Sequence, residues 1–215
     1  MNTQTHLLMG AALFGRPLPR LAIAGALGGV IPDAPMFAII GGLKMAGYGL
    51  EEIFGRLYWQ HWWQVANAIG HNFLLWGALA IGSGLVLSAK TAAPGRSSGL
   101  AFEMQFVRLD APLVFAFSGS ALLHSVIDFL FHRNDAHMHF WPLSQWRFRS
   151  PVSYWDPNHF GNWFGMFEAA IGLLLVAVLF RRYRNFWLRA ALALACILYL
   201  AVPAFFVMSM SGHQM

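Results

Sequence analysis

Cysteine, lysine and acidic side chains are scarce in this sequence: one Cys, two Lys and nine Asp or Glu among 215 residues. Charged residues make up 11% of the chain, against about 25% in soluble domains. So few charges cannot coat the outside of a water-soluble protein of this size, which excludes that class. Cys196, alone within an apolar run, has no partner for a disulfide in the chain and reads as a small buried hydrophobe. A Gly-rich phosphate loop, a G-x-S-x-G elbow, an internal repeat and a soluble second domain are all missing. The stretch MNTQTHLLMGAALFGRPLPR has no basic segment ahead of its apolar one, so a cleaved signal peptide is not expected.

What is present suits lipid. The chain is 58% hydrophobic and 15% aromatic, with nine Trp and nineteen Phe, a composition matched to acyl chains and headgroups. The net charge of +5 would suggest nucleic acid in a soluble domain. Here the basic residues sit in short connections between apolar runs, where they set orientation, so no nucleic acid is expected and the partner is membrane lipid. A spanning helix needs about 20 apolar residues. The sequence predicts an all-α, polytopic integral membrane bundle: a helical hairpin over 1–35, an interfacial segment over 36–63, membrane helices over 64–89, 111–131, 162–181 and 186–210, and a His/Asp/Trp-rich loop over 132–160. The hairpin turns at Arg16-Pro17-Leu18-Pro19-Arg20 and is closed by Pro32-Asp33-Ala34-Pro35. Trp59, Trp62 and Trp63 read as an interfacial anchor, and Thr91–Gly99 as a polar connection.

Nine basic residues fall on one side of this topology (Arg16, Arg20, Lys90, Arg96, Arg108, Arg181, Arg182, Arg184, Arg189) and five on the other (Lys44, Arg56, Arg133, Arg147, Arg149). The positive-inside bias makes the first side cytoplasmic and places the 132–160 loop outside, which is periplasmic for a cell inner membrane.

Ionisable groups inside apolar helices are disfavoured by about 2.5–3.5 kcal/mol at a helix centre on insertion scales, so they mark candidate sites. His124, Asp128 and His132 are spaced four apart and share one helix face. Imidazole and carboxylate so placed suit zinc or a similar divalent ion. A hydrogen-bonded pair that holds two helices together is the other reading. Downstream lie Asp135, His137, His139, Asp156 and His159, making eight His or Asp within 36 positions. Antiparallel geometry brings His6, at the start of the first hairpin helix, level with Asp33 after the second. His71 and Asp128 are expected at the same membrane face. Each has a structural alternative: His6 as a polar helix start, Asp33 as a helix cap, and His71 as a cross-helix hydrogen bond. Glu168 is expected to pair with Arg or His from the loop, with a role as ligand or general base as the alternative. Trp141, Trp146, Tyr154, Trp155 and Trp163 read as an aromatic belt or as the walls of a pocket, and His61 and His213 as interfacial or tail residues. Ser125, next to His124, does not face it and is a poor nucleophile.

Thr5-His6-Leu7-Leu8 with Gly10, Pro32-Asp33, His124-x-x-x-Asp128, Trp141-Pro142 and Trp146-Arg147-Phe148-Arg149-x-Pro151 together resemble the YdjM-like membrane proteins, described as inner-membrane metal-dependent hydrolases. The run His132 to Asp156 is also similar to small bacterial membrane proteins, some of which carry a cobalamin-biosynthesis label. No amidotransferase or nucleotide-binding feature supports that label here. The YdjM-like resemblance implies His6, Asp33, His124 and Asp128 as metal-site residues. Two positions depart from the family pattern: Pro35 stands where a second acid is found, and His71-Asn72 where a doubled-histidine motif is found.

The expected function is therefore a membrane-bound, metal-dependent hydrolase of a phosphoester or lipid-like substrate. Its divalent ion, zinc by ligand chemistry, is drawn from His6, Asp33, His71, His124, Asp128 and His132. The alternative is a non-enzymatic accessory or assembly protein with a membrane-protein partner and a structural His/Asp cluster. Transport ranks behind both, because the polar residues gather near one membrane face rather than at mid-membrane.

Overall fold

The computed structural model describes residues 1–16, 18–89 and 110–201 with their side chains, and the helical backbone alone of 90–92, 101–109 and 202–211. The expected Thr91–Gly99 connection, beyond the two residues that end a helix, lies outside the described residues. So do the side chains of Lys90, Arg96 and Arg108, and His213.

Every regular element among the described residues is helical. Helices α1 (Thr3–Phe14) and α2 (Pro19–Val30) form the expected hairpin, with Pro19 at the first position of α2, where no backbone donor is lost. The helical course does not close at Pro32-Asp33-Ala34-Pro35. It passes through a 3-10 turn, Ile31–Asp33, into α3 (Ala34–Met45). Pro32 and Pro35 each fall in a first turn, where the ring interrupts no hydrogen bond. Pro19–Met45 is thus a 27-residue stretch apolar enough to cross a membrane.

After the short α4 (Leu50–Glu52) and a π-helical turn, Ile53–Leu57, comes α5 (His61–Gly70). Trp59 and Trp62 are each 51% exposed, as an anchor would be, but Trp63 is fully buried with Ile53 and Tyr58 beneath α3. The predicted span over 64–89 is broken at His71-Asn72, where α6 (Phe73–Ala92) begins. Asn72 caps α6, its Oδ1 accepting from Leu75 N at 2.9 Å, and its amide donates to the Trp141 carbonyl.

Helix α7 (Ala101–Phe131) carries the His/Asp stripe, and α8 (Gly161–Arg182) and α9 (Phe186–Ser211) complete the bundle. Among the described residues, four stretches are long and apolar enough to span a membrane: Pro19–Met45, His61–Ala89, Asp110–Phe131 and Gly161–Arg182. This is a helical membrane protein. Helices α1, α2 and α7 approach so closely that a Cβ on Gly10 would collide with the Gly25 carbonyl, and one on Gly28 with that of Phe117. Small residues at such crossings let helix backbones touch where lipid offers no hydrophobic drive to association. On the other flank, Leu8, Ala11 and Ala12 of α1 pack with Leu175, Val176 and Leu179 of α8. There Arg182 Nη1 donates to the Ala12 carbonyl at 2.7 Å, satisfying an acceptor left open at the end of α1.

Candidate metal centre

The tight α1–α2–α7 crossing determines where polar side chains meet. A Cβ on Gly29 would strike the His6 carbonyl, so α1 and α2 touch at the level of His6. The Gly29 carbonyl in turn accepts from His124 Nδ1 on α7 at 2.7 Å. The His6 and His124 rings stack with centroids 3.7 Å apart. Three helices are locked together at one height, with His6 of α1 against His124 of α7.

A carbonyl oxygen only accepts, so the His124 bond to Gly29 puts the imidazole proton on Nδ1 and leaves Nε2 bare in the neutral ring. His71 repeats the arrangement from the α5–α6 break: Nδ1 lies 3.0 Å from the Asn67 carbonyl, and its buried Nε2 has no hydrogen-bond partner. Both Nε2 atoms point at carboxylates. His71 Nε2 is 3.5 Å from Asp33 Oδ1 and 3.4 Å from Asp128 Oδ2; His124 Nε2 is 3.6 Å and 3.1 Å from the same two oxygens. A tetrahedral ion with ligand bonds of about 2.0–2.1 Å holds its ligand atoms about 3.3–3.4 Å apart. Asp33, His71, His124 and Asp128, all buried, match that spacing, with ligand atoms mutually within 4.8 Å.

The far oxygen of each carboxylate is already engaged. Asp33 Oδ2 accepts from Thr3 Oγ1 at 2.5 Å. Asp128 Oδ1 accepts from the Met1 amine at 2.9 Å and faces His6 Nε2 at 3.1 Å. Each acid therefore has one oxygen fixed by donors and one turned towards the imidazoles, the outer-shell support that orients metal ligands. His6 thus backs Asp128 from behind rather than facing His71. Asp33 does not cap α3; its side chain makes no capping bond there.

A second group shares Asp128. His132, one turn beyond it, puts Nε2 3.4 Å from Asp128 Oδ2 and Nδ1 3.0 Å from Asp135 Oδ2. Burial disfavours the charged ring, yet the two carboxylates prevail and push His132 up to about 9. His137 joins Asp128 and His132 with ligand atoms within 4.8 Å. Burial first, then neighbouring His71, holds His137 well below the usual histidine range, so its ring is neutral. Its Nδ1 is buried without a partner. His137 was absent from the expected ligand set because it lies in a loop without periodicity. Its only sequence signal was the local density of His and Asp.

That loop is held down by long-range bonds. Ser150 N donates to the His132 carbonyl at 3.1 Å, and Tyr154 N to that of Phe131 at 3.0 Å. Arg147 Nη1 donates to Gln64 Oε1 at 2.7 Å and to the Ala136 carbonyl at 2.6 Å. Between loop and helix ends lies a cavity of about 340 Å³, reached by Asp33, His71, Asp128, His132, His137 and Tyr154, with Met36 and Phe37 of α3 on its apolar side. None of the described residues lining it is Lys or Arg.

Other expected residues lie elsewhere. Asp156 and His159 pair with each other at 2.7 Å, away from the cavity. Glu168 does not pair with Arg or His of the loop; its carboxylate accepts from Asn2 N at 2.7 Å and from Thr5 Oγ1 at 2.7 Å, because α8 packs along the start of α1. His139 is buried, with Nδ1 3.1 Å from the His137 carbonyl. Trp146, Trp155 and Trp163 are 54%, 52% and 72% exposed, as a belt would be, while Tyr154 faces the cavity. Ser125 donates to the Ala121 carbonyl of its own helix.

The chain thus carries a buried His/Asp group at metal-binding spacing in a helical membrane protein, and no family model, curated protein or solved structure matches it.

Proposed function

We propose that this is a membrane-bound, metal-dependent hydrolase that acts at the membrane interface on a phosphoester or lipid-like substrate, with zinc on Asp33, His71, His124 and Asp128. One observation carries the reading. Two imidazoles, each held by Nδ1 on a backbone carbonyl, aim their Nε2 atoms at two carboxylate oxygens 3.1–3.6 Å away. Facing lone pairs repel unless a cation or a second proton lies between them. In a hydrolase the ion supplies a Lewis acid and makes hydroxide available near neutral pH.

The chain's own residues do the rest. Asn67 and Gly29 hold the imidazoles, and Thr3 and His6 hold the carboxylates. Met36 and Phe37 offer an apolar approach to an acyl chain, and Tyr154 a hydroxyl beside the cluster. The YdjM-like resemblance points the same way and to a cell inner membrane, on whose periplasmic side the basic-residue bias places the site.

The accessory-protein reading has its own support, since the Met1 amine already pairs with Asp128 at 2.9 Å. Metal analysis of the detergent-purified chain separates the two. Hydrolase predicts bound zinc that is lost in His124→Ala and Asp128→Asn, and ester or phosphodiester hydrolysis that chelation abolishes and zinc restores. Metal-free, fully folded wild type that takes up no zinc overturns it in favour of the accessory role.

A further inference from the structure

A single ion does not account for every imidazole in the cavity. The His71 and His137 rings lie face to face, centroids 3.9 Å apart and planes 20° from parallel. An imidazole lone pair lies in the plane of its ring. Two nearly parallel rings therefore aim at two points separated by about the stacking distance, and one ion cannot sit in both planes at bond length. His71 belongs to the four-residue group, while His137 belongs to the other, and the two groups share Asp128 alone. His132 Nε2 and His137 Nδ1 are buried without a hydrogen-bond partner. Asp135 stands behind His132 on Nδ1 at 3.0 Å, so that Nε2 faces Asp128 Oδ2. A carboxylate behind an imidazole is a common support for a metal-bound histidine.

We propose that the centre is binuclear: Asp128 bridges the first ion and a second divalent ion held by His132 and His137. This rests on the metal-dependent reading above. Paired ions in hydrolytic sites stand about 3.5–4 Å apart and clamp the attacking and leaving oxygens of a phosphoester or ester. No described Lys or Arg side chain lines the cavity, so the second ion adds to the Met1 amine the positive charge that an oxyanion needs.

The test is metal stoichiometry on the full chain in detergent, loaded with Zn(II) for elemental analysis and with Mn(II) for electron paramagnetic resonance. Wild type is expected to hold two ions and to give a spin-coupled Mn(II) spectrum. His137→Ala retains one ion with an isolated Mn(II) signal. His137→Phe behaves alike while keeping a ring against His71, which guards against a folding defect in the alanine variant. Asp128→Asn loses both ions. One ion in wild type, unaffected by either His137 variant but lost in His124→Ala, overturns the binuclear centre and leaves the hydrolase standing. No ion in folded wild type overturns both.

Discussion

Two regions built from the same three helices obey opposite rules. Along the α1–α2–α7 seam, Gly10, Gly25 and Gly28 succeed by having no side chain, and carbonyls of neighbouring helices fill the space. One turn further towards the loop, His6, Asp33, His124 and Asp128 succeed by having side chains that would be intolerable in lipid alone. The seam sets the distance between backbones, and the polar cluster exploits that distance to within a few tenths of an ångström. An error in the seam is expected to reach both regions. An error in the cluster is expected to stay there.

The largest effect should come from Gly28→Leu. Its side chain must enter the Phe117 backbone, and overpacking of that kind costs about 3 kcal/mol. Thermal unfolding in detergent should show the loss, and metal content should fall with it. Bound metal kept at full stoichiometry would break the proposed dependence of cluster on seam. Thr3→Val sharpens the comparison from the other side. It removes the donor to Asp33 Oδ2 and should weaken metal binding about 10-fold, read by chelator competition, with little change in unfolding temperature. The smallest effect belongs to Trp163→Ala. That ring is 72% exposed, and its loss should alter stability in detergent by less than about 0.5 kcal/mol, with metal content unchanged.

The legible part of the site followed from short-range geometry. The spacing of His124, Asp128 and His132 put all three on one face of α7, and antiparallel pairing brought His6 and Asp33 to one level. The illegible part depended on contacts far apart in sequence. His71 ends α5 rather than continuing one unbroken helix because Asn72 caps α6 and binds the Trp141 carbonyl. His137 reaches Asp128 only because Arg147 and Ser150 fasten the loop. Glu168 found Asn2 and Thr5 because α8 lies along α1. Trp63 went inward, unlike Trp59 and Trp62, because α3 folds back over it.

By itself the sequence determined the solvent and the class of structure. So few charges on so apolar a chain leave helices in lipid as the stable arrangement, since every backbone group there must bond within its own segment. It also showed that His and Asp concentrate between His124 and His159. Which nitrogen faces which oxygen was decided only by the tertiary structure. Ligand geometry depends on how closely backbones from distant parts of the chain approach, and on which carbonyls hold the Nδ1 atoms of His71 and His124. No local pattern encodes either distance.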